Sequence, residues 1–233
     1  TRGRPMSVAV ILCGGLGTRL RGVLDGRPKC LAPVAGRTYL DFLTDYLHKQ
    51  GIGHFVFATG YRHAQVEDWL KTSSRPWTWK TSLEPEPLGT GGALRLAAQM
   101  IPEEKFLAFN GDTFLEVSCT DLISCHNALR SPLTLAAVQV PDTAAFGGIK
   151  VEHGHMVEFH EKGLAGPGLI NGGAYVIDKA FALSWPSGPL SLERDILTRV
   201  GLAPAAHVTS GRFLDIGTPE NLALAGEMAV ALN

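Results

Sequence analysis

Apolar positions along the chain follow two rhythms. Val8–Leu12, a short β-branched run ended by Gly14 and Gly15, predicts a buried strand. Leu40, Leu43 and Leu47 then share one face of a helix that stops at Gly51. His54–Thr59 predicts a second strand, Ala64–Lys71 a second helix and Thr78–Leu83 a third strand. Gly92–Met100 reads as a helix stopped near Pro102, and Lys105–Asp112 as a fourth strand ending in an acid. Strands alternating with helices in this way predict a parallel, doubly wound α/β sheet.

Beyond Asp112 the rhythm changes. Leu133–Val140, Gly147–Glu152, His155–Lys162 and Leu169–Ile177 read as strands separated by turns, with a hairpin tip around Gly154. Ser191 is placed to cap a helix with Glu193 and Arg194 in its first turn, and "RFLDI" reads as a last short strand. Thr218 caps a C-terminal helix whose Leu222, Ala225, Ala229 and Leu232 share a face. The expected fold is α/β: a Rossmann-like, doubly wound mixed sheet, mostly parallel, with a small antiparallel lobe. No linker, repeat or low-complexity segment divides residues 1–233, which predicts one domain with halves at 6–112 and 113–233.

Composition narrows the function classes. Apolar residues make up 45% and charged residues 18%, within the ordinary globular range, and the net charge of −1 offers no basic field for nucleic acid or an anionic membrane. No apolar run is long enough to span a bilayer, and "TRGRPM" lacks the order of a secretory leader. Cys13, Cys30, Cys119 and Cys125 form no zinc spacing. A cytoplasmic enzyme is expected, and Ala- and Leu-rich helix faces permit a homodimer without requiring one.

The candidate chemistry starts at "ILCGGLGTRLRG", Ile11 to Gly22. A dinucleotide fingerprint needs glycine where Leu20 stands, which argues against a nicotinamide dehydrogenase. A Walker loop needs lysine and a hydroxyl residue where Val23 and Leu24 follow Gly22. What remains is a nest of backbone N–H groups, then Arg19, then Lys29 after Pro28. A nest, a forked guanidinium and a point charge together suit a polyphosphate. A lone Gly-Gly would read only as a crowded strand–helix turn; the two cations favour the phosphate reading. Asp112 and Asp215 each end a predicted strand, where open α/β sheets bind ligands, and paired carboxylates there suit Mg²⁺. Alone, either aspartate reads equally well as a turn cap.

These residues carry a resemblance. Ile11–Leu40, then "EPEPLGTGGAL", "NGD", "EK", "NGGAY" and "DIGTPENL", resemble in order the signature of the sugar-1-phosphate nucleotidylyltransferases. Cys30 and Thr38 depart from that family's common residues without removing a charged group. The resemblance implies attack by a sugar-1-phosphate oxygen on the α-phosphorus of a nucleoside triphosphate, with release of pyrophosphate. Two anions must meet, so charge neutralisation and positioning are the main catalytic tasks.

The resemblance also implies roles. Arg19 and Lys29 would be catalytic, holding the departing pyrophosphate and the α-phosphate; Arg19→Ala is expected to cost about 3–4 kcal/mol in the barrier. Leu12, Gly14, Gly15, Gly17, Thr18, Glu84, Leu88, Gly89, Thr90, Asn110 and Gly111 would bind the nucleotide. Glu84 is the expected base reader, because a carboxylate offers the acceptor pair that guanine N1 and N2 need. Gly147, Glu161, Lys162, Asn171 and Gly172 would bind the sugar phosphate, and Asp112 and Asp215 the Mg²⁺. The nearest branch of the family transfers GMP from GTP to D-glycero-α-D-manno-heptose 1-phosphate. Mannose 1-phosphate with GTP, an amino-sugar 1-phosphate with UTP, and a non-catalytic subunit that binds nucleotide-sugars are the alternatives. The last predicts loss of Arg19, Lys29, Asp112 or Asp215, and all four are present. No acyltransferase repeat is expected after Asn233. His153, His155 and His160 read as solvated side chains, Arg75–Lys80 as strand-edge aromatics, and Glu193 and Asp195 as a helix N-terminus and a turn, with Asp195 less favoured as a neighbour of the sugar.

Overall fold

The strand β1, Val8–Leu12, lies between two parallel neighbours, so both of its faces must be apolar. Alternation does the sorting: Ala9 and Ile11 enter one core, Val8 and Val10 the other. A computed structural model describes residues 8–15, 24, 26–72, 74–160, 165–199 and 201–231.

After β1, a 3₁₀ turn at Lys29–Leu31 leads into the short hairpin of β2 (Pro33–Val34) and β3 (Arg37–Thr38). Helix α1 (Tyr39–Lys49) opens with a capping box: Thr38 Oγ1 accepts from the Asp41 amide, and the Asp41 carboxylate accepts from the Thr38 amide. There follow β4 (His54–Thr59), α2 (His63–Thr72), β5 (Thr78–Leu83), α3 (Gly89–Ala98) and β6 (Lys105–Asn110). Next come β7 (Thr113–Leu115), α4 (Cys119–Leu129), β8 (Leu133–Val140), β9 (Ile149–Glu152), β10 (His155–Phe159) and β11 (Gly168–Asp178). The chain continues through α5 (Lys179–Ser184), a π-helical turn at Leu192–Leu197, β12 (Ala205–Thr209), β13 (Phe213–Asp215) and α6 (Pro219–Ala231).

Among the described residues, nine strands form one sheet in the order β5-β4-β1-β6-β11-β8-β12-β10-β9. From β5 to β6 all pairings are parallel. Across β11 they turn antiparallel, with one further parallel pair between β8 and β12. The antiparallel strands therefore extend the same sheet. One core lies under α1, α2 and α6, the other under α3, α5 and the π turn.

Several elements depart in detail from the sequence pattern. Helix α3 starts at Gly89 rather than Gly92, because the Gly91 and Gly92 amides donate to the distant Leu190 carbonyl at 2.8 and 3.2 Å. Helix α4 has no clear sequence periodicity: it buries Cys119, Leu122 and a histidine, His126. Strand β10 ends at Phe159, short of the expected Lys162. "RFLDI" pairs with β7 in a separate two-stranded sheet. The expected cap of the last helix is present, with the Asn221 amide donating to Thr218 Oγ1 at 3.2 Å. Trp79 lies on β5, an edge strand, whereas Trp77 just before it is buried.

Candidate active site

The carboxyl ends of β1, β4, β5 and β6 open on one edge of the sheet, as parallel pairing requires. Asp112 follows β6 there. Its partner arrives by a long-range pairing: β13 runs antiparallel to β7, with Asp215 opposite Thr113, and the Ile216 amide donates to the Asp112 carbonyl at 3.1 Å. The two aspartates are thus held by backbone rather than by side-chain chance.

Lys29 stands between them. Its ammonium donates to Asp112 Oδ2 at 2.9 Å and to Asp215 Oδ1 at 2.8 Å. The lysine is 13% exposed, against 43% for Asp112 and 24% for Asp215, so the cation is the best shielded of the three. Burial pushes the Lys29 pKa down, the two carboxylates push it up, and the upward effect wins. Buried Cys30 and Leu31 anchor the turn that carries it. The phenol of Tyr39 is fully buried, has no hydrogen-bond partner among the described residues, and is held above its ordinary range by burial and then by Asp112 and Asp215. Two carboxylates converge on one ammonium, so a single cation can reach both. The described residues at this centre carry one negative charge in excess. Hard oxygen donors with that balance fit a divalent ion such as Mg²⁺.

A second cluster sits after β5. Glu84 Oε2 accepts from the Leu88 amide at 2.7 Å, while its other oxygen faces Gly14, where a Cβ would come within 2.6 Å of it. Glycine at 14 is therefore what lets the carboxylate lie over the end of β1. Burial raises the Glu84 pKa against the opposing pull of the Leu88 N–H. This placement is half-buried rather than free in solvent.

The sequence matches the family described as nucleotidyl transferase over residues 8–226. The chain belongs to the nucleotidyl transferase family. It is 35% identical over 216 residues to the D-glycero-alpha-D-manno-heptose 1-phosphate guanylyltransferase of Aneurinibacillus thermoaerophilus, covering 91% of this chain and 94% of that one. The protein of the same name from Campylobacter jejuni is 35% identical over 219 residues, covering 91% and 96%. The crystal structure of HddC from Yersinia pseudotuberculosis superimposes with a TM-score of 0.86 at 35% identity, over 95% of this chain and 99% of that one. The fold class read from the sequence is that of this structure.

In this nucleotidyl transferase the remaining expected residues fall into place unevenly. Leu12 ends β1 opposite Asn110, and its carbonyl accepts from the Gly111 amide at 3.0 Å. A Cβ on Gly111 would strike that same carbonyl. The Leu88 amide is taken by Glu84, and Thr90 turns its hydroxyl to Glu193 at 3.0 Å. Gly89 adopts a φ of +68° against the Leu190 carbonyl. Gly15 is exposed on the edge beyond Gly14. Asn171 spends its amide locally, donating to the Tyr175 hydroxyl at 2.7 Å and accepting from the Gly173 amide at 3.1 Å across a bulge in β11. Gly172 is buried where a Cβ would strike Leu115, so its first task is packing. Gly147 lies in the loop before β9, which reaches the Asp215 strand through the edge-on Phe146–Phe213 ring contact at 5.2 Å. Gly17, Thr18, Arg19, Glu161 and Lys162 lie outside the described residues.

Sequence reasoning missed Tyr39, Tyr175 and the reach of Glu193. The first two carry the ordinary pattern of core aromatics. Glu193 sits where a helix-terminal acid is normal, so only the fold distinguishes it.

Proposed function

We propose that the chain transfers the guanylyl group of GTP to D-glycero-α-D-manno-heptose 1-phosphate. A phosphate oxygen of the sugar 1-phosphate attacks the α-phosphorus. The bond to the bridging oxygen breaks, and pyrophosphate leaves with that electron pair. The nucleophile is already ionised at neutral pH, so the site needs no general base. The observation that carries this reading is the Lys29–Asp112–Asp215 centre at the strand ends of a family member 35% identical to heptose 1-phosphate guanylyltransferases over 91% of its length. The crystal structure of HddC from Yersinia pseudotuberculosis complexed with GMP-PN, 34% identical to this chain with a TM-score of 0.86, supports a guanine nucleotide in a fold of this kind.

Asp112 and Asp215 would hold Mg²⁺, which when bound neutralises phosphate charge and polarises the phosphoryl oxygens. Lys29, released from one or both aspartates as phosphates enter, adds its charge at the α-phosphate. Arg19 holds the β- and γ-phosphates as they depart. Glu84, kept in place by the Leu88 amide and by the space at Gly14, accepts from guanine N1 and N2. The sugar phosphate lies toward β11, where Gly147, Asn171 and Gly172 would bind it, and Glu161 and Lys162 keep the sugar-phosphate roles that the family resemblance gives them. Free, mostly buried cysteines suit a reducing cytoplasm.

The test is a pyrophosphate-release assay crossing GTP, UTP, CTP and dTTP with heptose, mannose, glucose and N-acetylhexosamine 1-phosphates. The expected result is a maximum for GTP with the heptose. Activity confined to UTP would remove the guanine assignment, and a preference for mannose 1-phosphate would replace the sugar.

A further inference from the structure

Glu84, the proposed base reader, is oriented by a backbone group that is itself held from a distant part of the chain. Its Oε2 accepts from the Leu88 amide at 2.7 Å. Its Oε1 lies over the ends of β1 and β4, 2.6 Å and 3.6 Å from where a Cβ would stand on Gly14 and Gly60. The placement of Leu88 therefore decides which way the carboxylate faces. The Leu88 carbonyl accepts from the Leu190 amide at 2.8 Å, and the Leu190 carbonyl accepts from the Gly91 amide at 2.8 Å. The two backbones meet too closely for side chains between them: a Cβ on Gly89 would lie 2.8 Å from the Leu190 carbonyl oxygen, and one on Gly92 2.7 Å from that of Gly188.

Side chains close the same clasp. The π turn at Leu192–Leu197 sends Leu192, Ile196 and Leu197 into the core beside Ala93, Leu94 and Ala97 of α3. Its N-terminal end is served without Glu193: Ser191 Oγ accepts from the Arg194 amide at 3.1 Å, and Asp195 Oδ2 accepts from the Ser191 amide at 2.7 Å. Glu193, half-buried, turns instead to α3, where its Oε2 accepts from Thr90 Oγ1 at 3.0 Å and from Ser191 Oγ at 3.3 Å. Thr90 Oγ1 accepts in turn from the Leu192 amide at 2.8 Å. A hydroxyl has one proton to give, and committing it to a carboxylate fixes where the lone pairs point. Thr90 is thus anchored as donor and as acceptor, two residues after Leu88.

We propose that Glu193 is a positioning residue for base selection: through Thr90, and alongside the backbone ties of Leu190, it fixes Leu88 and so holds the Glu84 carboxylate where it meets guanine N1–H and N2–H together. This rests on the reading of Glu84 above. A carboxylate free to turn still meets the single N1–H of hypoxanthine, so a loosened clasp takes most from the discrimination between those two purines.

The test compares GTP with inosine triphosphate, which lacks the 2-amino group, in pyrophosphate release with heptose 1-phosphate. Wild type is expected to prefer GTP in kcat/KM by roughly tenfold or more, as for one hydrogen bond to a charged group. Glu193→Ala is expected to raise the GTP KM roughly three- to tenfold and to narrow that preference by a similar factor, the range for one lost hydrogen bond. The KM for the sugar phosphate should stay as in wild type. The preference is a ratio measured within one protein, so a lower folded fraction does not move it. Glu193→Gln, whose amide oxygen still accepts from Thr90, should keep most of the preference. In a Glu84→Ala background, Glu193→Ala should change the GTP KM no further, because its effect passes through Glu84. An unchanged preference in Glu193→Ala, a glutamine variant as impaired as the alanine one, a rise in the sugar-phosphate KM instead, or an equal effect in the Glu84→Ala background overturns the proposal and leaves the Glu84 reading intact. Wild-type protein that uses the two purine nucleotides alike overturns the Glu84 reading, and the proposal with it.

Discussion

Replacing Lys29 by methionine removes a charge while keeping most of the volume of a side chain that is 13% exposed. In the wild type its ammonium lies 2.9 Å from Asp112 and 2.8 Å from Asp215. Two oxygens bonded to one nitrogen lie within about 6 Å of each other, and at an effective dielectric constant of about 20 unlinked unit charges at that distance repel by about 3 kcal/mol. Asp112 is 43% exposed, so solvent screening reduces the net loss of folding stability to about 1–2 kcal/mol. The same repulsion makes the vacated centre a better cation site. Added Mg²⁺ should therefore raise the melting temperature of Lys29→Met by several degrees more than that of wild type, following mass action on a site present only in the folded state. Turnover should fall about 100- to 1,000-fold, the range for loss of one preorganised charge partner. The assays are thermal melts across a Mg²⁺ titration and pyrophosphate release with GTP and heptose 1-phosphate. A variant as stable as wild type, with an unchanged Mg²⁺ response, would refute the shared-cation picture of Asp112 and Asp215. Turnover within tenfold of wild type would remove Lys29 from the chemistry.

Two further outcomes follow from groups away from the site. His126 is buried between Thr134 Oγ1 at 2.9 Å and Asp178 Oδ1 at 3.1 Å, and burial holds its pKa below the ordinary 6.5 despite the pull of Asp178 in the other direction. Below that ordinary value the unfolded chain binds the extra proton first, so stability falls as pH drops through and below 6.5. Melting curves of His126→Gln between pH 7 and 5 should show a shallower decline than wild type; an equal slope would count against this group. The Arg75 guanidinium stacks 3.8 Å from the Trp69 ring centroid and donates to Asp41 at 2.8 Å, with 8% of its side chain exposed. Arg75→Ala should cost about 3 kcal/mol in urea unfolding, by removing a buried charge partner of Asp41, which keeps Thr38 and Trp69 as donors, together with the guanidinium packed on Trp69. Arg75→Lys should cost about 1–2 kcal/mol, because charge returns without the planar fork. Equal losses for the two variants would show that the returned charge contributes nothing and that the planar fork and its stacking on Trp69 carry the whole effect.

Much of the parallel half was legible in the chain. Val8–Leu12 and His54–Thr59 are strands with those bounds, since a strand buried on both faces must be a continuous apolar run. Thr78–Leu83, an edge strand whose residues are exposed or half-buried except for Ser82, keeps its bounds through β-branched and aromatic residues. The candidate centre was legible in kind, because Lys29, Asp112 and Asp215 stand in motifs whose chemistry is local in sequence. Helix α4 was not, since His126 occupies its buried face and finds its partners on β8 and at the end of β11. Nor was the early start of α3, whose first-turn amides are satisfied by Leu190.

Residue types, strand periodicity and the order of the motifs were set by the sequence itself, because each depends on neighbours within one turn or one strand. Which groups meet depended on the tertiary structure. Asp215 reaches Asp112 only through the pairing of β13 with β7, and Lys29 closes on both from a turn far from either. Glu193 leaves the ordinary duty of a helix-terminal acid only because Ser191 and Asp195 perform it and α3 offers Thr90. Hydrogen bonds and charges act over a few ångströms of space, and separation along the chain does not reveal that distance.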